Sequence, residues 1–148
     1  MRIKKFIKRL VILGIILIVL FSIYGAFSKL LDFGASNTVI DEVYSPDNNY
    51  KAIIFERDAG ATTGFSTQVS IISSKSSLPN SPGNVFISDT NHGSAPSGKG
   101  GGPEVSISWV NSNEVIISYH SKARIFKEEG SIKNIQIRYT YCNELLFD

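Results

Sequence analysis

Residues 104–120 read Glu-Val-Ser-Ile-Ser-Trp-Val-Asn-Ser-Asn-Glu-Val-Ile-Ile-Ser-Tyr-His. In an extended chain Val105, Ile107 and Trp109 share one face and Glu104, Ser106 and Ser108 the other, which is the two-residue period of a half-buried strand. Asn111-Ser112-Asn113 supplies residues that tolerate turn geometry, and a β-branched run resumes at Glu114, so the stretch predicts a hairpin. Further on, Ile135, Ile137, Tyr139 and Tyr141 oppose Asn134, Gln136, Arg138 and Thr140, which predicts a strand over Ile132–Cys142. These two apolar sets are expected to line the core. Toward the N-terminus, shorter alternating runs predict strands at Thr38–Tyr44, Tyr50–Arg57, Thr67–Ser73 and Asn84–Asp89, with another at Ala123–Lys127. Ser45-Pro46-Asp47-Asn48-Asn49 has the makings of a tight turn between the first two. No helical periodicity of useful length follows residue 34. Eight strands joined mainly by hairpins predict an antiparallel meander, folded as a small β-sandwich or half-open barrel. Residues 45–55 resemble the opening of a propeller blade, but the motif occurs once and residues 38–148 are too few for three blades of about 40 residues.

A different pattern precedes this domain. Leu10–Phe27 reads LVILGIILIVLFSIYGAF without a charge, about 27 Å of helix at 1.5 Å per residue, which matches a bilayer's hydrocarbon core. Arg2, Lys4, Lys5, Lys8 and Arg9 precede it, whereas Lys29 and Asp32 follow, so the basic side is expected in the cytoplasm and the β domain outside. The reading is therefore a cytoplasmic basic tail at 1–9, a transmembrane helix at 10–27, a linker at 28–37 and an extracytoplasmic β domain at 38–148, with Gly34 as a plausible helix stop. A cleaved signal peptide competes, since Ala26-Phe27-Ser28 passes as a small-x-small site, but Tyr24 spoils the register ending at Ala26 and the apolar run exceeds a usual signal core. No cysteine lies near the apolar run to carry a lipid.

Of 15 Lys and Arg, six lie within residues 1–29, so nine stand against all 13 acids in the remainder and the β domain is net acidic. That argues against a nucleic-acid partner, since the basic excess sits in the terminal tail and the domain would repel phosphate. The lone Cys142 has no intramolecular disulfide partner and reads as a small apolar filler, its neighbours Asn143 and Glu144 being the wrong ones to activate a thiol.

Two connections exceed a minimal hairpin. Residues 57–66, RDAGATTGFS, combine glycines, hydroxyls and an acid; residues 89–103, DTNHGSAPSGKGGGP, carry five glycines that either let backbone amides close around a ligand or leave the loop mobile. The candidate binding residues are accordingly Asp58, Thr62, Thr63 and Ser66 from the first loop and Asp89, Asn91, His92 and Lys99 from the second. Residues 93–99 match the phosphate-loop pattern G-x-x-x-x-G-K, but Gly100 stands where a magnesium-binding hydroxyl belongs and no helix follows, so no nucleotide is expected. Asp89, His92 and His120 could make a metal set on count alone, without a recognised ligand spacing. Ser66 or Ser97 with His92 and Asp58 or Asp89 could make a hydrolytic set, without a nucleophile elbow to position the serine. No metal, cofactor or catalytic residue is assigned.

The stretches SPDNNYKAIIFERDAGATTGFSTQVSII, PNSPGNVFISDTNHG and GGGPEVSISW together resemble a family of small bacterial proteins of unknown function, usually with one N-terminal membrane segment, over about Thr38 to Tyr139. ERDAGATTGFSTQVSI is the most specific element, and the resemblance implies a cysteine in many relatives where this chain has Ala59. Thiol chemistry or a disulfide there would be lost in this chain, leaving Cys142 without a partner. The resemblance implies no activity, substrate or cofactor, but it draws attention to the two long loops as one surface. The expected protein is a single-pass protein of the bacterial cytoplasmic membrane whose β domain binds an envelope protein or glycan through those loops. The alternatives are an extracytoplasmic hydrolase using His92 with a loop acid and hydroxyl, and an immunity-type protein against a secreted toxin.

Overall fold

The computed structural model describes residues 2–32, 35–60 and 64–143, with the side chains of residues 2–6, 26–32 and Cys142 left aside. Two compact units divide at Gly34 and Ala35. The first is a 31-residue helix α1, Arg2–Asp32. Its segment Ile7–Gly25 is long and apolar enough to cross a membrane, and its large side chains, from Leu10 to Tyr24, are exposed. The expected stop at Gly34 lies outside the described residues.

The second unit is mainly β, with strands β1 Ser36–Tyr44, β2 Tyr50–Asp58, β3 Ser66–Ser73, β4 Phe86–Asp89, β5 Val105–Asn111, β6 Glu114–His120, β7 Arg124–Glu128, β8 Ser131–Ile132 and β9 Ile135–Cys142. They form a five-stranded sheet, β1-β2-β3-β4-β7, and a four-stranded sheet, β5-β6-β9-β8. One apolar cluster joins them, with Ala52, Ile54, Val69, Ile71 and Phe86 from the first sheet meeting Val105, Val115, Ile117, Ile135 and Ile137 from the second. The barrel is not closed. Phe86, fully buried, stacks its ring 5.2 Å from Tyr119 and 5.8 Å from Tyr139 across the sandwich.

Several sequence expectations change here for physical reasons. The predicted last strand splits into β8 and β9 at a turn where Lys133 takes a left-handed backbone, φ 53°. The meander is interrupted as well. β7 leaves for the five-stranded sheet, beside β4, and the chain returns so that β9 runs parallel to β6. A hairpin makes only antiparallel neighbours; a crossover through the other sheet permits a parallel one. Tyr141, on the expected core face, is 72% exposed, because the opposing apolar cover ends at Tyr139, whose hydroxyl donates to the carbonyls of Val85 and Glu129. Trp109 is half-buried rather than buried: it sits on edge strand β5, where its Nε1–H reaches across to the Val43 carbonyl of β1 at 3.0 Å.

The alternation of β2 fails for a separate reason. Ile54 and Ala52 face the core cluster, yet Ile53 and Phe55, on the opposite face, are also fully buried. The connection 74–85 crosses that face, and its hydrogen bonds run to the strands beneath: Gly83 N–H to Gln68 Oε1 at 2.6 Å, Asn84 N–H to Ser70 Oγ at 3.1 Å, and Asn84 Nδ2 to the Ile71 carbonyl at 3.0 Å. Buried Arg57 donates from the same face to Asn37 Oδ1 at 2.8 Å, and Asn37 Nδ2 in turn reaches the Pro79 and Ser81 carbonyls. The outer face of this sheet is thus roofed by a loop.

Candidate functional site

β4 ends at Asp89 and β7 begins at Arg124, and register makes these two residues partners across the sheet. The guanidinium grips the carboxylate with two groups, Nε donating to Oδ1 at 3.1 Å and Nη2 to Oδ2. Asp89 Oδ1 also accepts the Asn91 N–H at 2.8 Å, which opens a tight turn through Asn91, His92 and Gly93, all left-handed at φ 50°, 56° and 84°. Asn and His are among the side chains that tolerate this region, and Gly93 takes it freely. The turn closes with Ala95 N–H on the Thr90 carbonyl at 2.9 Å and Ala95 buried. It carries His92 to the guanidinium, with Nε2 3.4 Å from Arg124 Nη1.

Burial raises the Asp89 carboxyl's pKa, but the hydrogen bonds from Arg124 and the Asn91 N–H, with the charges of Arg124 and His92, outweigh it and hold the group below its ordinary value. The same carboxylate holds the Arg124 guanidinium above its own. The pair stays ionised through the physiological range. The guanidinium also lies over the Phe126 ring, 5.0 Å from its centroid.

Farther along the second loop, Gly98 N–H bonds the Gly102 carbonyl at 2.8 Å and Ser97 bridges Pro103, which makes a small hairpin. Buried Thr67 donates its hydroxyl to the Pro103 carbonyl at 2.7 Å. A Cβ added to Gly102 would strike Thr67 Oγ1 and stand 2.6 Å from Thr67 N, so only glycine lets the hairpin lie so close to β3. These contacts hold the hairpin to β3, an outcome different from both readings its glycines suggested, amides closing around a ligand and a mobile loop.

Between the loops lies a groove of about 650 Å³, lined among others by Phe65, Ser66, Asp89, His92, Arg124 and Phe126. Its two phenyl rings are 48% and 59% exposed and line the same groove, so they are two apolar surfaces at one place rather than scattered singly. The other candidates go elsewhere. Asp58 accepts the Gly60 N–H of its own turn at 2.9 Å; Asn91 reaches the Lys122 carbonyl at 3.3 Å; Lys99 lines a second cleft. Thr62 and Thr63 lie outside the described residues.

A family model matches residues 3–86, which run from α1 through β3 to the first residue of β4. The chain belongs to the DUF5412 family, a family of unknown function. No curated protein and no solved structure matches the chain. The DUF5412 match includes residues 56–71, ERDAGATTGFSTQVSI, and so the first loop; the second loop and β7 lie past its end.

Of the residues named for a hydrolytic set, Ser66 and Asp89 are engaged elsewhere. Ser66 Oγ donates to the Arg57 carbonyl at 3.3 Å and accepts from Gln68 Nε2 at 2.8 Å, while Asp89 is engaged by Arg124. His92 makes its contact with Arg124 and is bonded to neither Ser66 nor Asp89. Among the described residues no three His, Cys, Asp or Glu side chains group to hold a metal ion. Buried His120 instead accepts the Lys122 N–H on Nδ1 at 3.2 Å, which shapes the turn into β7. Sequence reasoning missed Arg124 and Phe126. They stand two apart on β7 and so share a face, but nothing local says that β7 pairs with β4.

Proposed function

We propose that this DUF5412 protein is a single-pass protein of the bacterial cell envelope whose β domain, outside the cytoplasmic membrane, binds an envelope protein or glycan in the groove between the two long loops. The carrying observation is the pair of exposed rings, Phe65 and Phe126, beside an Arg124 already fixed by Asp89. Exposed aromatic surface next to a preorganised guanidinium is the composition of a binding hot spot, since the rings gain by dehydration and little freedom remains to be lost. The excess of Lys and Arg in the first turns of α1, ahead of the apolar run 10–27, supports a cytoplasmic N-terminus and an outward-facing domain.

The test is photo-crosslinking in the native membrane, with a photoreactive residue placed in turn at Phe65, at Phe126 and at exposed Lys75. One discrete adduct from the first two positions and none from Lys75 is the expected result. Equal labelling at all three, or no adduct at the groove, refutes the assignment.

A further inference from the structure

Both phenyl rings of the loop groove are backed by their own chain. A Cβ added to Gly101 would stand 2.9 Å from Phe65 Cδ2, so that ring lies against the hairpin backbone, while the Arg124 guanidinium lies over the Phe126 ring, 5.0 Å from its centroid. At 48% and 59% exposure each ring still presents apolar surface to the groove. Beside them the formal charges cancel, since Asp89 and Arg124 are the charged members of the lining and grip each other. The pair is not saturated. Among the described residues, Arg124 makes one contact each from Nε, Nη1 and Nη2, and each terminal nitrogen carries a second hydrogen. Asp89 Oδ1 accepts from Arg124 and from the Asn91 N–H, whereas Oδ2 accepts there from Arg124 alone and keeps a lone pair. A donor and an acceptor thus stand side by side next to two rings.

Resting on the reading that this groove is the binding site, we infer that its ligand is a glycan, taken through the uncharged pyranose rings of an oligosaccharide. A pyranose has an apolar C–H face and a rim of hydroxyls. The C–H face carries slight positive charge and stacks on the negative face of a phenyl ring. Each hydroxyl both donates and accepts, so neighbouring hydroxyls can accept from the terminal nitrogens of Arg124 and donate to Asp89 Oδ2. Charge points the same way. A phosphate or carboxylate is held by a guanidinium free to fork onto it, and here Asp89 already occupies the fork. Size separates a sugar from a protein partner: the groove's 650 Å³ falls within the roughly 300–1,000 Å³ of small-ligand clefts, whereas a stable protein partner covers about 800 Å² on each side. Rings and ion pair are fixed before the ligand arrives, which offsets the weakness of single hydroxyl contacts.

The test presents an array of neutral and acidic oligosaccharides to the full chain in phosphatidylcholine nanodiscs. Neutral pyranose oligosaccharides are expected to bind, and the affinity of the tightest to hold as NaCl rises from about 0.05 to about 0.5 M, where a charge-driven ligand would weaken. Phe65→Ala and Phe126→Ala should each weaken it about tenfold while melting with wild type, and Phe126→Tyr should keep it. Arg124→Lys retains the charge beside Asp89 but loses the planar array of donors, so it too should bind weakly; if it does not fold, the ring variants decide. Three results overturn the inference: no array member binds, acidic members bind tightest with salt-sensitive affinity, or the affinity ignores both ring variants. A protein adduct from positions 65 and 126 in the native membrane, without sugar binding, keeps the groove as a binding site and overturns its sugar ligand. Absence of both adduct and sugar binding removes the site as well.

Discussion

Gly102→Ala separates a held loop from a mobile one. The added Cβ would strike Thr67 Oγ1 and lie 2.6 Å from Thr67 N and 3.0 Å from the Ser66 carbonyl carbon, and two of these are backbone atoms of a central strand that cannot give way. The hairpin 98–102 must move instead. Overpacking of this kind costs about 1–3 kcal/mol. Displacement also lengthens the Thr67 hydroxyl's 2.7 Å bond to Pro103, and stranding a hydroxyl on a residue only 1% exposed costs about 1–3 kcal/mol more. The two together come to about 2–6 kcal/mol, a fall in melting temperature of about 8–25 °C for a domain of this size. Thermal unfolding followed by Trp109 fluorescence reads it, with Gly64→Ala as the control. Gly64 has nothing within 4 Å of an added Cβ, so its substitution should stay within about 0.5 kcal/mol. If Gly102→Ala matches the control, or stabilises as a glycine replacement does in a freely moving loop, the hairpin is not packed on β3 and the argument fails.

At His92 the left-handed backbone, φ 56°, decides the outcome before any ligand does: His92→Gly should melt with wild type, whereas His92→Val should lose about 1–2 kcal/mol, and equal melting of the two variants would contradict the turn. Asp89 supplies a pH signature. Its folded pKa lies below the ordinary carboxyl value, so the stabilisation it gives is complete above about pH 4 and fades as pH falls through the depressed folded value. Denaturant titrations from pH 5 down to pH 2 should therefore show a steeper loss for wild type than for Asp89→Asn, and parallel slopes would sink the ion pair. Trp109→Phe keeps the ring but removes the donor to Val43, whose edge carbonyl can turn to water, so about 0.5–1 kcal/mol is expected; Trp109→Ala should lose about 2–3 kcal/mol, and a loss of 5 would indicate full burial. For topology, a phosphatase fused after Asp148 should be active and a cytoplasmic reporter at the same place silent; the reverse pattern would move the domain inside the cell.

The sequence by itself determined what depends on near neighbours along the chain. Alternation at 104–120 and 135–141 located the strands within a few residues of β5, β6 and β9, and the solid apolar run 10–27 marked the helix, because side-chain period and helix length are local properties. The same alternation serves parallel and antiparallel partners alike, so it could not say that β9 runs with β6, nor that β7 changes sheets. It also assumed that a strand's second face meets water, whereas Ile53 and Phe55 lie under the 74–85 roof. Of the candidate site, the two loops were legible from their length and glycine content, and Ser66, Asp89 and His92 do line one groove. Arg124 and Phe126 were not, for Asp89 and Arg124 stand 35 residues apart and meet only through the β4–β7 register. The glycines of 98–102 read as freedom in the sequence, but the fold makes at least Gly102 a steric requirement, because the atom that excludes any larger residue belongs to Thr67, a strand away.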